Sequence, residues 1–166
     1  MKKTFFIMLV AALMCVGGVQ AQSTKQTHKV HENPTIVADA SLFDALLLPF
    51  RGKTVLVDIW ATWCGPCRQA NAAMKPVKEE LKDKDIVYLY VTGETSPLAT
   101  WEQMIPSLGG DHYRVTAVQW KKLGNELGLQ GVPTYFIVDK SGKVVFTQVG
   151  FPGAETMKTQ LLKALK

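Results

Sequence analysis

Two cysteines separated by two residues, in the run Cys64-Gly65-Pro66-Cys67, are the side chains of this sequence best suited to chemistry. Such a pair can be half of a zinc site, a structural bridge or a dithiol that cycles to a disulfide. Structural zinc takes four ligands, and outside the polar N-terminal stretch only His112 could join the two thiolates, so no metal is expected. A bridge across two residues closes a tiny loop and constrains little of the unfolded chain, so stability alone is a weak reason for it. The redox reading has a positive physical case. Cys64 follows an apolar run with strand character and opens a segment with helix character. Pro66 suits an early helical position, where a missing N–H is no loss. Free N–H groups and the positive end of the helix dipole then favour thiolate over thiol. Cys64 is read as the attacking nucleophile. Cys67, one turn into the helix, is read as the shielded sulfur that resolves a mixed disulfide.

The elements that must position this pair are legible in the apolar pattern. Val55 to Trp60 is apolar on both faces except at Asp58, as a central strand covered on both sides would be. The helix after Cys64 is predicted to reach about Lys84, with Ala70, Met74, Val77 and Leu81 recurring on one face and Pro76 inside it. Ile86 to Val91 reads as the next central strand and Leu98 to Leu108 as a helix. Tyr113 to Thr116 reads as a short strand and the Trp120–Leu127 stretch as another helix. Thr134 to Val138, a turn at Asp139-Lys140-Ser141-Gly142, Val144 to Val149 and a last helix complete the chain. That last helix is expected to bury Met157, Leu161, Leu162 and Leu165. Earlier, Thr35 to Ala38 is a strand candidate, and Asp39 or Ser41 can cap a helix carrying Leu42, Phe43, Leu46 and Leu47. Strands alternating with helices and ending in a hairpin imply an α/β fold with a mixed sheet covered on both faces.

Asp58 is the odd member of its strand. A buried carboxylate without a partner has a raised pKa and suits proton transfer, whereas a strand-end Asp bonded to backbone would be structural. Trp63 beside Cys64 is read as a flat apolar rim, and Trp60 as packing beneath it. Trp101 and Trp120 are read as core, Arg68 as an exposed residue of little effect, and His112 as a surface or loop residue. Gly52-Lys53-Thr54 lacks the upstream glycine of a phosphate loop, and no Ser–His–Asp arrangement stands out.

Composition narrows the class. The 166 residues are 47% hydrophobic and 20% charged, proportions of a globular chain rather than a disordered one. The formal net charge of +5 comes from scattered side chains with no basic stripe, so nucleic acid is not an expected partner. Lys2 and Lys3, the apolar run Phe5 to Val16 and the small residues of Val19-Gln20-Ala21 form a secretory signal, predicted to be cut before Gln22. The apolar run is shorter than the roughly 20 residues that span a bilayer. Residues 1–21 are thus expected to be a signal peptide, 22–34 a flexible lead-in holding His28 and His31, and 35–166 one domain. Cys15 leaves with the signal, because Met14 is a poor neighbour for lipidation, and a membrane-anchored lipoprotein is the lesser reading. The remaining cysteines face an oxidising compartment.

Val57-Asp58-Ile59-Trp60-Ala61-Thr62-Trp63-Cys64-Gly65-Pro66-Cys67 resembles the active-site strand and loop of thioredoxin. Gly131-Val132-Pro133-Thr134 resembles its cis-proline loop, and Asp139 to Val144 its last hairpin. With the export signal and a long stretch between Cys67 and Pro133, the chain resembles the TlpA/ResA-type branch of periplasmic thioredoxin-like proteins, which implies the periplasm as its compartment. The resemblance implies a thioredoxin fold with an insertion between the active-site helix and the cis-proline strand. It also implies a redox disulfide Cys64–Cys67, a cis Val132–Pro133 bond presenting Val132 to an extended substrate, and Asp58 as proton acceptor for Cys67. Two departures stand out. Thioredoxin pairs this acid with a lysine from the next central strand, where Ile86 to Val91 offers only Tyr88 and Tyr90. ResA-type proteins carry a glutamate three residues after the second cysteine, where this chain has Ala70. The expected activity is reduction of disulfides in envelope proteins at a potential near about −270 mV, without a cofactor. The expected partners are cysteine-bearing envelope proteins and a membrane thiol donor, and the expected state is a monomer. An oxidase or isomerase, or a client-binding module of the same fold, is the rival reading.

Overall fold

Runs of β-branched and aromatic residues with no polar face can only lie between two layers, and they form the centre of the sheet. The computed structural model describes residues 27–166. Strand β1 spans His28–Val30, β2 Thr54–Ile59, β3 Ile86–Gly93, β4 Gly110–Val115, β5 Thr134–Val138 and β6 Val144–Val149. Helix α1 spans Leu42–Leu47, α2 Gly65–Glu80, α3 Leu98–Leu108, α4 Ala117–Leu127 and α5 Ala154–Ala164. One six-stranded sheet has the order β1-β4-β3-β2-β5-β6. Its first four strands are mutually parallel, whereas β5 and β6 run antiparallel to their neighbours.

Alternation along β2 divides the core in two. Val55, Val57 and Ile59 meet Leu42, Phe43 and Leu46 of α1 and Leu123 of α4. Leu56 meets Ala70, Met74 and Val77 of α2 and Met157 and Leu161 of α5. Trp60, just beyond the strand, joins Cys64, Cys67, Trp101 and Ile105, so α3 packs on the cysteines. The long stretch between Cys67 and Pro133 places α3 against the disulfide and β4 beyond β3. Ser41 is the cap of α1, its side chain accepting from Asp44 N–H at 2.9 Å.

Several sequence readings need correction. Residues 22–34 are not wholly a lead-in, because His28 to Val30 pairs in parallel with Gly110 to His112. All three β1 side chains are exposed, so the strand leaves no apolar trace. His31 Nε2 meets Asp111 Oδ1 at 2.6 Å, and no cluster of three metal-ligating side chains occurs among the described residues. Thr35 to Ala38 forms no strand. The strand read at Tyr113 begins at Gly110 and buries His112, because β1 covers its outer edge. Leu162 is exposed; the buried face of α5 is Met157 and Leu161, four residues apart. The signal peptide, Cys15 and the cut before Gln22 lie outside the described residues.

Gly110 is where β4 turns in between β1 and β3. Its φ is +77°, and a Cβ there would lie 2.5 Å from the Tyr88 carbonyl oxygen. Backbone strain and that clash add, so Gly110→Ala is expected to lower unfolding stability by about 2–4 kcal/mol, read as a lower urea midpoint. An unchanged midpoint would mean that the β1–β4 edge does not contribute to the cooperative core.

Candidate active site

The site begins where β2 runs out of apolar residues. Cys64 N–H bonds back to Ala61 O at 3.1 Å, closing a turn that carries Thr62 and Trp63 between the strand and α2. Cys64 is the N-cap of α2, Gly65 and Pro66 fill its first positions, and Cys67 N–H donates to Cys64 Sγ at 3.1 Å. The first amides of the helix have no carbonyl partner, so this sulfur takes the place an Asp or Ser oxygen usually fills. A sulfur anion there would be stabilised by that N–H and by the helix dipole. Cys64 and Cys67 are joined as a disulfide. Both are nearly buried, while Trp63 beside them is 60% exposed.

The Val132–Pro133 peptide is cis, and Val132 O lies 3.7 Å from Cys64 Sγ. Thr134 Oγ1 donates to Gly131 O at 2.7 Å, and Gly150 N–H donates to Pro133 O at 2.9 Å, fixing this loop on β5. The fold thus brings Cys64, Cys67, Trp63, Gly65, Pro66, Val132 and Pro133 to one end of the sheet. Arg68 is exposed yet not idle, since its Nη1 donates to Thr62 O at 2.9 Å.

Asp58 sits beneath this assembly, 3% exposed, on the β2 face that also bears Leu56 and Trp60. With Asn71, Lys78, Tyr88 and Tyr135 it lines a cavity of about 10 Å³, room for about one water molecule. Asp58 Oδ1, Asn71 Nδ2, Tyr88 OH and Tyr135 OH have no hydrogen-bond partner within the protein. Burial pushes the Asp58 pKa up to about 7, outweighing the pull of the Lys78 charge and of the Asn71 amide. The acid is not a strand-end Asp bonded to backbone.

Lys78 is the functional candidate missed in the sequence. The cation absent from β3 comes instead from α2, three turns after Cys67. Its Nζ donates to Tyr90 OH at 3.0 Å and to Leu108 O, and lies 4.8 Å from the centre of the Tyr88 ring. Burial lowers its pKa to about 8, against the opposing attraction of Asp58. The signal was present, because Cys67, Asn71, Met74 and Lys78 recur at helical spacing on the face turned to the sheet. His112, read as a loop residue, is buried in β4 and stacks on Tyr90 at 5.0 Å. Its Nε2–H donates to Gly109 O at 2.9 Å, and burial lowers its pKa to about 4, leaving it neutral at pH 7.

The Redoxin family model matches residues 23–165. The thiol:disulfide interchange protein HelX of Rhodobacter capsulatus is 31% identical over 77% of this chain and 68% of its own length. The thiol-disulfide oxidoreductase ResA of Bacillus thuringiensis is 26% identical over 70% of this chain and 66% of its own. The chain therefore spans about two thirds of these relatives. The thioredoxin domain of a thiol-disulfide oxidoreductase from Bacteroides vulgatus superposes with a TM-score of 0.64 at 22% identity, over 72% of this chain and 84% of that one. The fold is that of thioredoxin.

Asp58 holds its proton in the folded state up to about pH 7 and releases it near 3.8 when unfolded, so the folded state binds more protons across that window. Stability therefore falls as pH rises from about 4 to about 7. Asp58→Asn is expected to be more stable than the parent at pH 8, by about 1–3 kcal/mol, with the gain vanishing below pH 4. Urea unfolding at the two pH values measures it; equal stability at pH 8 would mean that the carboxylate is solvated.

Proposed function

The chain belongs to the Redoxin family, and we propose that it is an exported thiol–disulfide oxidoreductase that reduces disulfides in envelope proteins. The observation carrying this reading is the Cys64 sulfur at the mouth of α2. It accepts from the Cys67 amide, is bonded to the Cys67 sulfur and lies beside Val132 O, with the exposed Trp63 preceding it in the chain. The relatives' names support exchange between thiols and disulfides as the reaction class. Cysteine-bearing proteins are the corresponding substrates.

In the dithiol form, the Cys64 thiolate attacks one sulfur of a partner disulfide. A Cys64–partner disulfide forms, and the other partner sulfur leaves as a thiolate. Cys67 then loses its proton to Asp58 and attacks Cys64 Sγ. This releases the second partner thiolate and leaves the Cys64–Cys67 bond, the state observed here. Two electrons pass to the partner. Val132 aligns an extended substrate by backbone pairing, and Trp63 supplies an apolar rim. Gly65 and Pro66 open the helix without bulk in front of the sulfur. The Gly-Pro pair favours a reducing potential, near about −270 mV. A thiol donor at the membrane must then return the electrons, because the compartment does not. Export rests on residues 1–21, read as a cleaved signal peptide delivering a monomer to the periplasm. Among the described residues no helix is long and apolar enough to cross a membrane.

Two expectations test this reading. The purified chain should reduce insulin disulfides in the presence of dithiothreitol, and Cys64→Ser should abolish the reaction. Activity retained by Cys64→Ser would overturn the assignment of the nucleophile. Trapping of thiols in cells should find the pair mainly as dithiol; a pair found mainly as disulfide would make the chain an oxidase. The proton step adds a pH dependence. Lys78 holds the Asp58 pKa down, so Lys78→Met should move the rise of the resolving rate to higher pH, by about one unit. An unmoved profile in stopped-flow measurements would remove Asp58 from the step.

A further inference from the structure

The turn from Ala61 to Cys64 carries both the rim tryptophan and the nucleophile, and its form depends on how its peptide groups are held. The two common four-residue turns differ by a flip of their central peptide, here the one joining Thr62 to Trp63. Thr62 O, on that peptide, accepts from Arg68 Nη1 at 2.9 Å. Thr62 N–H, on the preceding peptide, donates to Ser96 Oγ at 3.0 Å. Ser96 is fully buried, its hydroxyl lies 2.7 Å from Thr92 Oγ1, and its carbonyl accepts from Arg114 Nε at 2.9 Å. A buried hydroxyl held by two neighbours is a fixed acceptor, and Thr62, itself buried, has no water to substitute for it.

We propose that Ser96 and Arg68 are positioning residues that grip the two peptides flanking Thr62, fix the active-site turn and thereby align Cys64 and Trp63 with a protein disulfide. Neither touches a sulfur. Ser96 lies in the segment between β3 and α3, and α3 packs on the cysteines through Trp101 and Ile105. The stretch between Cys67 and Pro133 thus braces the turn as well as covering the disulfide. Arg68 acts through its hydrogen bond, not through its charge on the thiolate. The inference rests on the exchange reading, since alignment matters only if a partner disulfide docks there.

The test uses Ser96→Ala, Arg68→Met and Arg68→Lys in the full mature chain. Loss of either grip should lower kcat/KM for insulin reduction by about fivefold or more, the worth of one hydrogen bond to the backbone. The pH profile of Cys64 alkylation by iodoacetamide, a probe too small to need alignment, should stay in place. Arg68→Lys, which keeps the charge but not the planar donor, should fall with Arg68→Met. Unchanged insulin kinetics in both Ser96→Ala and Arg68→Met would overturn the proposal. So would an alkylation profile that moves with activity, or full activity in Arg68→Lys, since either assigns the effect to charge. The exposed Arg68 variants keep the test open if Ser96→Ala fails to fold. If the parent chain reduces no disulfide, the exchange reading fails, and Thr62 amide hydrogen exchange in Arg68→Met judges the grip alone. Faster exchange supports it, and unchanged exchange overturns it.

Discussion

A strand that must be dry on both faces ends beneath a helix that must begin there, and the chemistry depends on that junction. Pairing of β2 with β3 on one side and β5 on the other fixes the height at which the chain leaves the sheet. One tight turn later the first amides of α2 are free, and the residue in position to accept from them is a cysteine. The same strand carries Asp58 one pleat below Trp60, on the face that α2 covers. Sulfur and carboxyl are therefore placed by a single strand–helix pair, with β5 bringing the Val132 carbonyl to the same end. Helix packing supplies the rest: residues that hold α2 on the sheet, such as Ala70 and Met74, alternate with those that do chemistry.

The electrostatics of the core follow from the same burial. An acid and an amine share one dry region, and desolvation drives their pKa values toward each other, up to about 7 and down to about 8. Opposite charge only moderates the two shifts, so both groups titrate close to neutral pH, where their exposed counterparts would stay fully ionised. Such groups can exchange a proton at little cost, unlike ordinary surface Asp and Lys. Tyrosines around them add hydroxyls without permanent charge, and His112, neutral against Tyr90, adds none either.

Much of this was legible in the sequence. The cysteine spacing and the apolar run before it carry local chemistry that survives without neighbours, the α2 face repeats at helical period, and the Val132-Pro133 loop was legible through its resemblance to that of thioredoxin. What escaped was non-local or unmarked. β1 has no buried side chain, so its place is set chiefly by backbone pairing with β4. His112 looked solitary because the strand that shields it is itself invisible. Lys78 was passed over because the expectation looked for a cation on β3, yet the distance that matters is measured across the layer between helix and sheet. Arg68 was judged by its charge, whereas its partner is a carbonyl six residues earlier in an irregular turn.

The parallel run of β1 beside β4 has a spatial corollary. Because β1, β4, β3 and β2 share one direction, their carboxyl ends gather at the pole that holds the cysteines, and their amino ends at the other. β2 therefore delivers the Cys64 turn to the cysteine pole and β3 the segment whose Ser96 hydroxyl accepts from it, so strand direction alone brings the turn and its brace together.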